Sequence, residues 1–295
     1  MSEQIQTGMK KPGRGMARAS RDLITAMYSS AKAAQPITGR GVGYKLFTAG
    51  LIASMSVNEM QKVYRLLRLA RERGDIPWSW IVDETRELER VSTWSNTAEY
   101  ASAVATSYRR DFWDQQPCRV EVWSEKGTIR GVLKPVLDRY AVGFRVMHGY
   151  ASATSVNEVA EGGDGRDLIV LYVGDLDPSG MFMSECDLPQ RLADYGGDHV
   201  DLRRIALLPI QTAGLPSFPA EDKKKDPRYR WFVERHGKRC WEIDAMDPRD
   251  LRECAEMAIS DWIEPTAWAR CEIVNAAELE SLQTILTNWK GGVTQ

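Results

Sequence analysis

Glu125, Asp175 and Asp177 are the residues of this chain whose type and spacing could do chemistry together. Each follows a stretch that reads as a strand: Arg119–Trp123 before the glutamate, and the apolar run Leu168–Gly174 before the aspartates. In extended chain, positions i and i+2 point the same way, so both aspartates can face one point. Carboxylates gathered at neighbouring strand ends repel one another unless a cation sits among them. A hard ion such as Mg2+ takes oxygen ligands and keeps several waters, which leaves room for a phosphate. The three histidines and five scattered cysteines, none in a CxxC pair, argue against a His-rich or zinc-type site.

Such a site needs an open parallel sheet, because ligands there bind beyond the carboxyl ends of the strands. The second half of the chain has that rhythm. Strands are expected at Arg119–Trp123, Phe144–Met147, Leu168–Gly174 and Arg203–Leu208. Helical spacing lies between them, at Gly127–Arg139 (with Pro135 expected to kink or shorten it), around Val156–Ala160 and over residues 180–195. The run LIVLYVG is apolar throughout, as a strand buried on both faces must be. Closing helices are expected at Asp250–Trp262 and Ala276–Trp289. The expected class is α/β, a mostly parallel sheet flanked by helices.

The first half reads differently. Helices are expected from Ser20, as N-cap, to Ala34, and from Gly41 to Ala49. A third opens at Ser56, with Glu59 completing a capping box. On it Met60, Val63, Leu67 and Ala70 recur at core spacing, while Lys62, Arg65, Arg68 and Arg71 lie toward the other side. Ile76–Val82 (IPWSWIV) is expected to be a strand, and a helix should span Thr97–Phe112. Three short helices, the last one basic, followed by a strand suggest a winged-helix domain whose third helix enters the major groove of DNA. The expected division is a basic flexible tail over 1–19, a winged-helix domain over 20–114 and the metal-binding α/β domain with its C-terminal helices over 115–295.

The acidic pattern resembles the Toprim domain of topoisomerases, primases and related nucleases. Within that group it resembles the A subunit of type IIB topoisomerases (topoisomerase VI) and the related meiotic double-strand-break transesterase, and it looks closer still to phage- and mobile-element-borne relatives of these. There the glutamate is followed by lysine, as in Glu125-Lys126, and the DxD continues as in Asp175-Leu176-Asp177-Pro178-Ser179-Gly180. A Gly-Tyr pair lies between them, as in Gly149-Tyr150, and an arginine precedes a nucleophilic tyrosine by four residues, as in Arg40-Gly41-Val42-Gly43-Tyr44. Phage- and mobile-element-borne relatives share the IPW…D-x-x-R stretch (Ile76, Pro77, Trp78, Asp83, Arg86) and the W-E-x-D-A segment (Trp241, Glu242, Asp244, Ala245). The resemblance spans roughly residues 20 to 265.

It implies Mg2+ on Glu125, Asp175 and Asp177, attack by Tyr44 on a DNA phosphodiester, and Arg40 on the scissile phosphate. It also implies a 5′-phosphotyrosyl bond and a homodimer in which each tyrosine serves the other protomer's metal site. Glu125 would be a ligand or a general acid/base. Lys62, Arg65, Arg68 and Lys126 are the candidate contacts to double-stranded DNA. Two departures stand out: Gly43 replaces an aromatic residue common in that family, and Gly41 and Gly43 each weaken the second helix by about 1 kcal/mol relative to alanine. A metal nuclease using water on the same scaffold, and a non-catalytic DNA-binding subunit, remain open.

Composition agrees with a globular protein: 43% hydrophobic and 27% charged residues in a chain of 295. A net charge of −2 confines any DNA surface to local segregation of charge. No apolar run reaches the roughly 20 residues of a membrane span, and no secretory pattern opens the sequence. The cysteine usage suits a reducing cytoplasm, and the resemblance to phage- and mobile-element-borne relatives implies a bacterial or phage-infected host cell. There is no P-loop, and a separate ATPase subunit is a candidate partner.

Overall fold

The structure, a computed structural model, describes residues 18–82, 91–147 and 153–292. The tail proposed for 1–19 lies outside them except for Arg18 and Ala19, which open the first helix; Asp83, Arg86, Gly149 and Tyr150 also lie outside.

Three helices build the N-terminal part: α1 (Arg18–Ala34), α2 (Gly39–Thr48) and α3 (Val57–Glu72). They meet through Leu23 and Met27, Val42 and Leu46, and Met60, Val63 and Leu67, residues at the three-four spacing of helix faces. Ser20 falls inside α1 and does not cap it. Ser56 holds the N-cap position of α3, but its side chain makes no capping bond; Glu59 still places a negative charge in the first turn. The glycines of α2 have a packing reason. A Cβ on Gly43 would lie 2.5 Å from Met60 Sδ, so the missing side chain lets α2 press onto α3.

The strand expected over Ile76–Val82 is confined to β2 (Ile81–Val82), which pairs in parallel with β1 (Ile37–Thr38). Trp78–Trp80 forms a 3-10 turn instead. Pro77 fixes its own φ and lacks a ladder donor, and Trp78 stacks on the Arg71 guanidinium at 4.3 Å, which turns the chain aside. No antiparallel wing is present among the described residues. Helix α4 (Thr97–Ser107) stops before Phe112, where Tyr108 goes extended and Tyr108 and Arg110 both bind Glu278.

The sheet is as expected: β3 (Cys118–Ser124), β4 (Gly143–Val146), β5 (Asp167–Val173) and β6 (Val200–Ala206) run parallel in the order β4-β3-β5-β6. Helix α5 (Thr128–Tyr140) continues through Pro135, because Ile129, Leu133, Val136 and Leu137 are buried along it. Helix α6 (Ala153–Glu161) leads to β5, and α7 (Pro178–Phe182) runs through a π turn into α8 (Leu188–Asp194). Strand β5 explains its unbroken apolar sequence. Ile169, Leu171 and Val173 face one core, shared with α5; Leu168, Val170 and Tyr172 face the other, shared with α6 and α8.

The chain closes with a short antiparallel pair, β7 (Phe218–Pro219) and β8 (Arg239–Cys240), with α9 (Tyr229–His236) between them, then α10 (Pro248–Ser260) and α11 (Pro265–Gly292). Helix α11 starts well before the expected Ala276 and packs along α4. None of the helices among the described residues is long and apolar enough to cross a membrane.

Candidate functional site

Strands β3 and β5 are hydrogen-bonded neighbours with Ser124 opposite Val173, so the segments that follow them leave the sheet side by side. Glu125 and Lys126 continue β3, and Asp175 and Asp177 continue β5 past Gly174. All four line one cleft of about 1230 Å3. The N-terminal helices also line it, with Gly39 and Arg40 from α2 and Arg68 from α3.

The DxD turn is held from three directions. Asp177 caps α7, its Oδ1 accepting the Gly180 N–H at 2.8 Å. Gly180 must be glycine, because a Cβ there would lie 2.4 Å from the Asp175 carbonyl oxygen. Leu176 exchanges both backbone hydrogen bonds with Trp241, at 2.9 and 3.0 Å, and Asp175 Oδ1 accepts the Ile243 N–H at 2.8 Å. From beneath, Arg204 of β6 donates to the carbonyls of Gly174 (2.8 Å), Asp175, Gly180 (3.0 Å) and Leu207 (3.1 Å), and to Ser184 Oγ (2.8 Å). A buried guanidinium is costly unless its donors are satisfied, and here they are spent on the loop.

The carboxylates are answered by lysines. Lys126 Nζ lies 2.9 Å from Asp175 Oδ1, 2.9 Å from Asp244 Oδ2 and 4.0 Å from Glu242 Oε2. Lys223 Nζ lies 3.3 Å from Asp177 Oδ2. Burial alone would weaken the Lys126 charge, but Asp175, Asp244 and Glu242 outweigh it and hold the ammonium protonated. Burial pushes the Asp175 carboxyl up to about 6; Lys126 opposes this and the Asp177 charge adds to it. Burial and then Asp177 also raise the Glu125 carboxyl above its ordinary range.

Among the described residues no group of three or more His, Cys, Asp or Glu side chains stands as a ready-made ligand cage. The donor chemistry nonetheless suits a hard cation: Asp175 and Asp177 offer acidic oxygens, Glu125 lies within reach of the Asp177 charge, and each aspartate already draws a positive group onto itself.

Tyr44 sits one helical turn beyond Arg40 on α2 and is buried, 5% exposed. Arg40 lies 5.9 Å from its ring centroid. Burial, then the Glu242 charge, hold the phenol above its ordinary pKa, with Arg40 and Lys126 acting the other way. Tyr44 lines a second cavity, of about 430 Å3, and not the carboxylate cleft; Arg40, Lys223 and Glu242 line both. Arg40 forms a forked pair with Glu242, Nη2 donating to Oε1 at 2.6 Å and Nε to Oε2.

Lys62, Arg65 and Arg68 are exposed along α3, and only Arg68 reaches the cleft wall. Arg71 is buried against Trp78. Three features are not evident from sequence. Thr38 caps α2 through the Gly41 N–H (2.8 Å) and donates to Asp244 (2.6 Å). Arg204 is legible there only as one of three charged residues in its strand. Lys223, by sequence part of a basic loop, pairs with Asp177. Comparison with protein families, curated proteins and solved structures finds no match for the chain.

Proposed function

We propose that this chain is a Mg2+-dependent DNA-cleaving transesterase of the Toprim type, similar to the A subunit of type IIB topoisomerases. The observation that carries the reading is one cleft lined by Glu125, Asp175 and Asp177, at adjacent strand ends, together with Arg40 and Arg68. In this reading Glu125, Asp175 and Asp177 hold the cation. A cation held there would neutralise charge on the phosphate oxygens, beside the positive charge that Lys126 and Lys223 already bring to the aspartates.

Arg40 holds the scissile phosphate through paired N–H donors. The Tyr44 hydroxyl attacks phosphorus; its O–P bond forms as the bond to the 3′ oxygen breaks. The phenolic proton passes to solvent. The departing oxygen takes up a proton, and Glu125 supplies it where that carboxyl is not itself a ligand of the cation. The N-terminal helices act as a helix-turn-helix-like DNA-binding domain, with Lys62, Arg65, Arg68 and Lys126 on double-stranded DNA. The working form is a homodimer in the cytoplasm of a bacterial or phage-infected cell, with any ATP-driven step supplied by a separate subunit.

One observation favours a second reading, hydrolysis by water on the same scaffold: Tyr44 is buried, its phenol holds its proton tightly, and it faces the smaller cavity. Incubation with DNA and Mg2+ followed by denaturing electrophoresis separates the two. Transesterification leaves a protein–DNA adduct that Tyr44→Phe abolishes. Hydrolysis leaves free ends that persist in Tyr44→Phe. Cutting that survives loss of both Asp175 and Asp177 would overturn either form of the metal site, and binding without cutting would leave a non-catalytic DNA-binding subunit.

A further inference from the structure

The forked pair between Arg40 and Glu242 joins the tyrosine helix to the segment that braces the DxD turn. A carboxylate and a phosphodiester offer a guanidinium the same two-oxygen edge, and both are recognised by the same paired N–H donors. The pair lines both cavities, so it stands where the carboxylate cleft meets the cavity that Tyr44 lines.

The backbone at Glu242 is fixed without help from its carboxylate. Trp241 is tied to Leu176, the Ile243 N–H is bound by Asp175, and Asp244 receives both Thr38 and Lys126. The carboxylate of Glu242 can therefore leave Arg40 while the segment stays in place. As it leaves, Lys126, already 4.0 Å from Glu242 Oε2, remains as its nearby cation.

We propose that Glu242 occupies the phosphate seat of Arg40 in the DNA-free protein and is displaced by a phosphodiester of the bound strand. Glu242 is thus a positioning residue: it keeps the guanidinium extended and aimed while setting a threshold for DNA entry. This rests on the DNA-cleaving reading above.

The test is equilibrium binding of a DNA duplex by the full chain in metal-free buffer, where no cutting intervenes. Glu242→Gln should bind about fivefold tighter than the unaltered protein, the scale of one half-exposed ion pair no longer broken on binding. The same change in an Arg40→Gln background should give no gain, because the competition runs through Arg40. A gain that persists without Arg40 would mean that only the cleft's overall charge has changed, and would overturn the proposal. An unchanged or weaker Glu242→Gln would overturn it too. Glu242→Asp, which keeps the charge but shortens the reach, provides the second variant should Glu242→Gln melt early; a smaller gain in the same direction is expected, and no gain counts against the proposal. If no variant binds DNA at all, the underlying reading falls with it; if the unaltered protein binds and the gain is absent, only the displacement falls.

Discussion

Lys126 Nζ forms an ion pair with Asp175 Oδ1 at 2.9 Å, and in doing so joins the end of β3 to the end of β5 by charge as well as by the sheet. The same ammonium reaches Asp244, so a single cation serves two carboxylates. Lys126→Met should destabilise the metal-free protein by roughly 2 kcal/mol, since half-buried charges lose their partner. Millimolar Mg2+ should recover much of that loss. Urea unfolding with and without Mg2+ measures both; a deficit that Mg2+ leaves untouched would take the cation away from Asp175.

Two glycines should respond differently to alanine. At Gly180 the new Cβ would meet the Asp175 backbone oxygen at 2.4 Å, and backbone cannot yield without moving the DxD turn. A loss of roughly 2–3 kcal/mol is expected, with Mg2+ binding lost as well. At Gly43 the obstacle is the thioether of Met60, at 2.5 Å, which can choose another rotamer. Gly43→Ala should stay within about 1 kcal/mol of the parent, its better helix propensity offsetting part of the clash. Thermal melts and calorimetric Mg2+ titrations distinguish the two.

The ion pair between Lys45 on α2 and Asp247 at the start of α10, 2.5 Å, should make stability depend on pH. Burial works against the Asp247 carboxylate, but hydrogen bonds from Arg249 and Lys45 prevail and hold it well below the usual range. A folded-state pKa below the unfolded one contributes stability above the unfolded value, near 3.9, and that contribution is lost as pH falls toward the folded pKa. Lys45→Met should cost about 1 kcal/mol at neutral pH. The gap should shrink once the pH drops below about 4. A gap of constant size down to strong acid would mean that Lys45 acts by packing and not by charge.

On the proposed DNA-binding reading, helix α3 carries cations of two kinds: exposed Lys62, Arg65 and Arg68, and the buried Arg71. Changing Lys62, Arg65 or Arg68 to glutamine should weaken DNA binding alike for all sequences. The salt slope should fall by about one for each phosphate that is no longer neutralised. Arg71→Gln should instead lower the melting temperature and leave the slope alone, since its guanidinium stacks on Trp78. Fluorescence anisotropy over a salt series reads the first effect and a thermal melt the second.

Periodicity carries most of the architecture. The apolar run of β5, the helical spacing of α3 and α5, and the position of Glu125 and the DxD after their strands are readable because each depends on neighbours a few residues away. Propensity fails where distant contacts decide. Ile76–Val82 alternates like a strand, yet Pro77 and the stacking of Trp78 on Arg71 make most of it a turn. Gly41 and Gly43 read as helix weakeners, while their surroundings mark a close approach of α2 to its neighbours. By itself the sequence determined which carboxylates stand at strand ends, since that follows from local order along the chain. Only the tertiary structure decided what faces them: the partnership of Lys126 with Asp175 and Asp244, the hold of Glu242 on Arg40, and the burial of Tyr44 in the neighbouring cavity. Charges far apart along the chain meet there because the sheet and the N-terminal helices share a seam, and spacing along a chain does not encode which side chains a seam will pair.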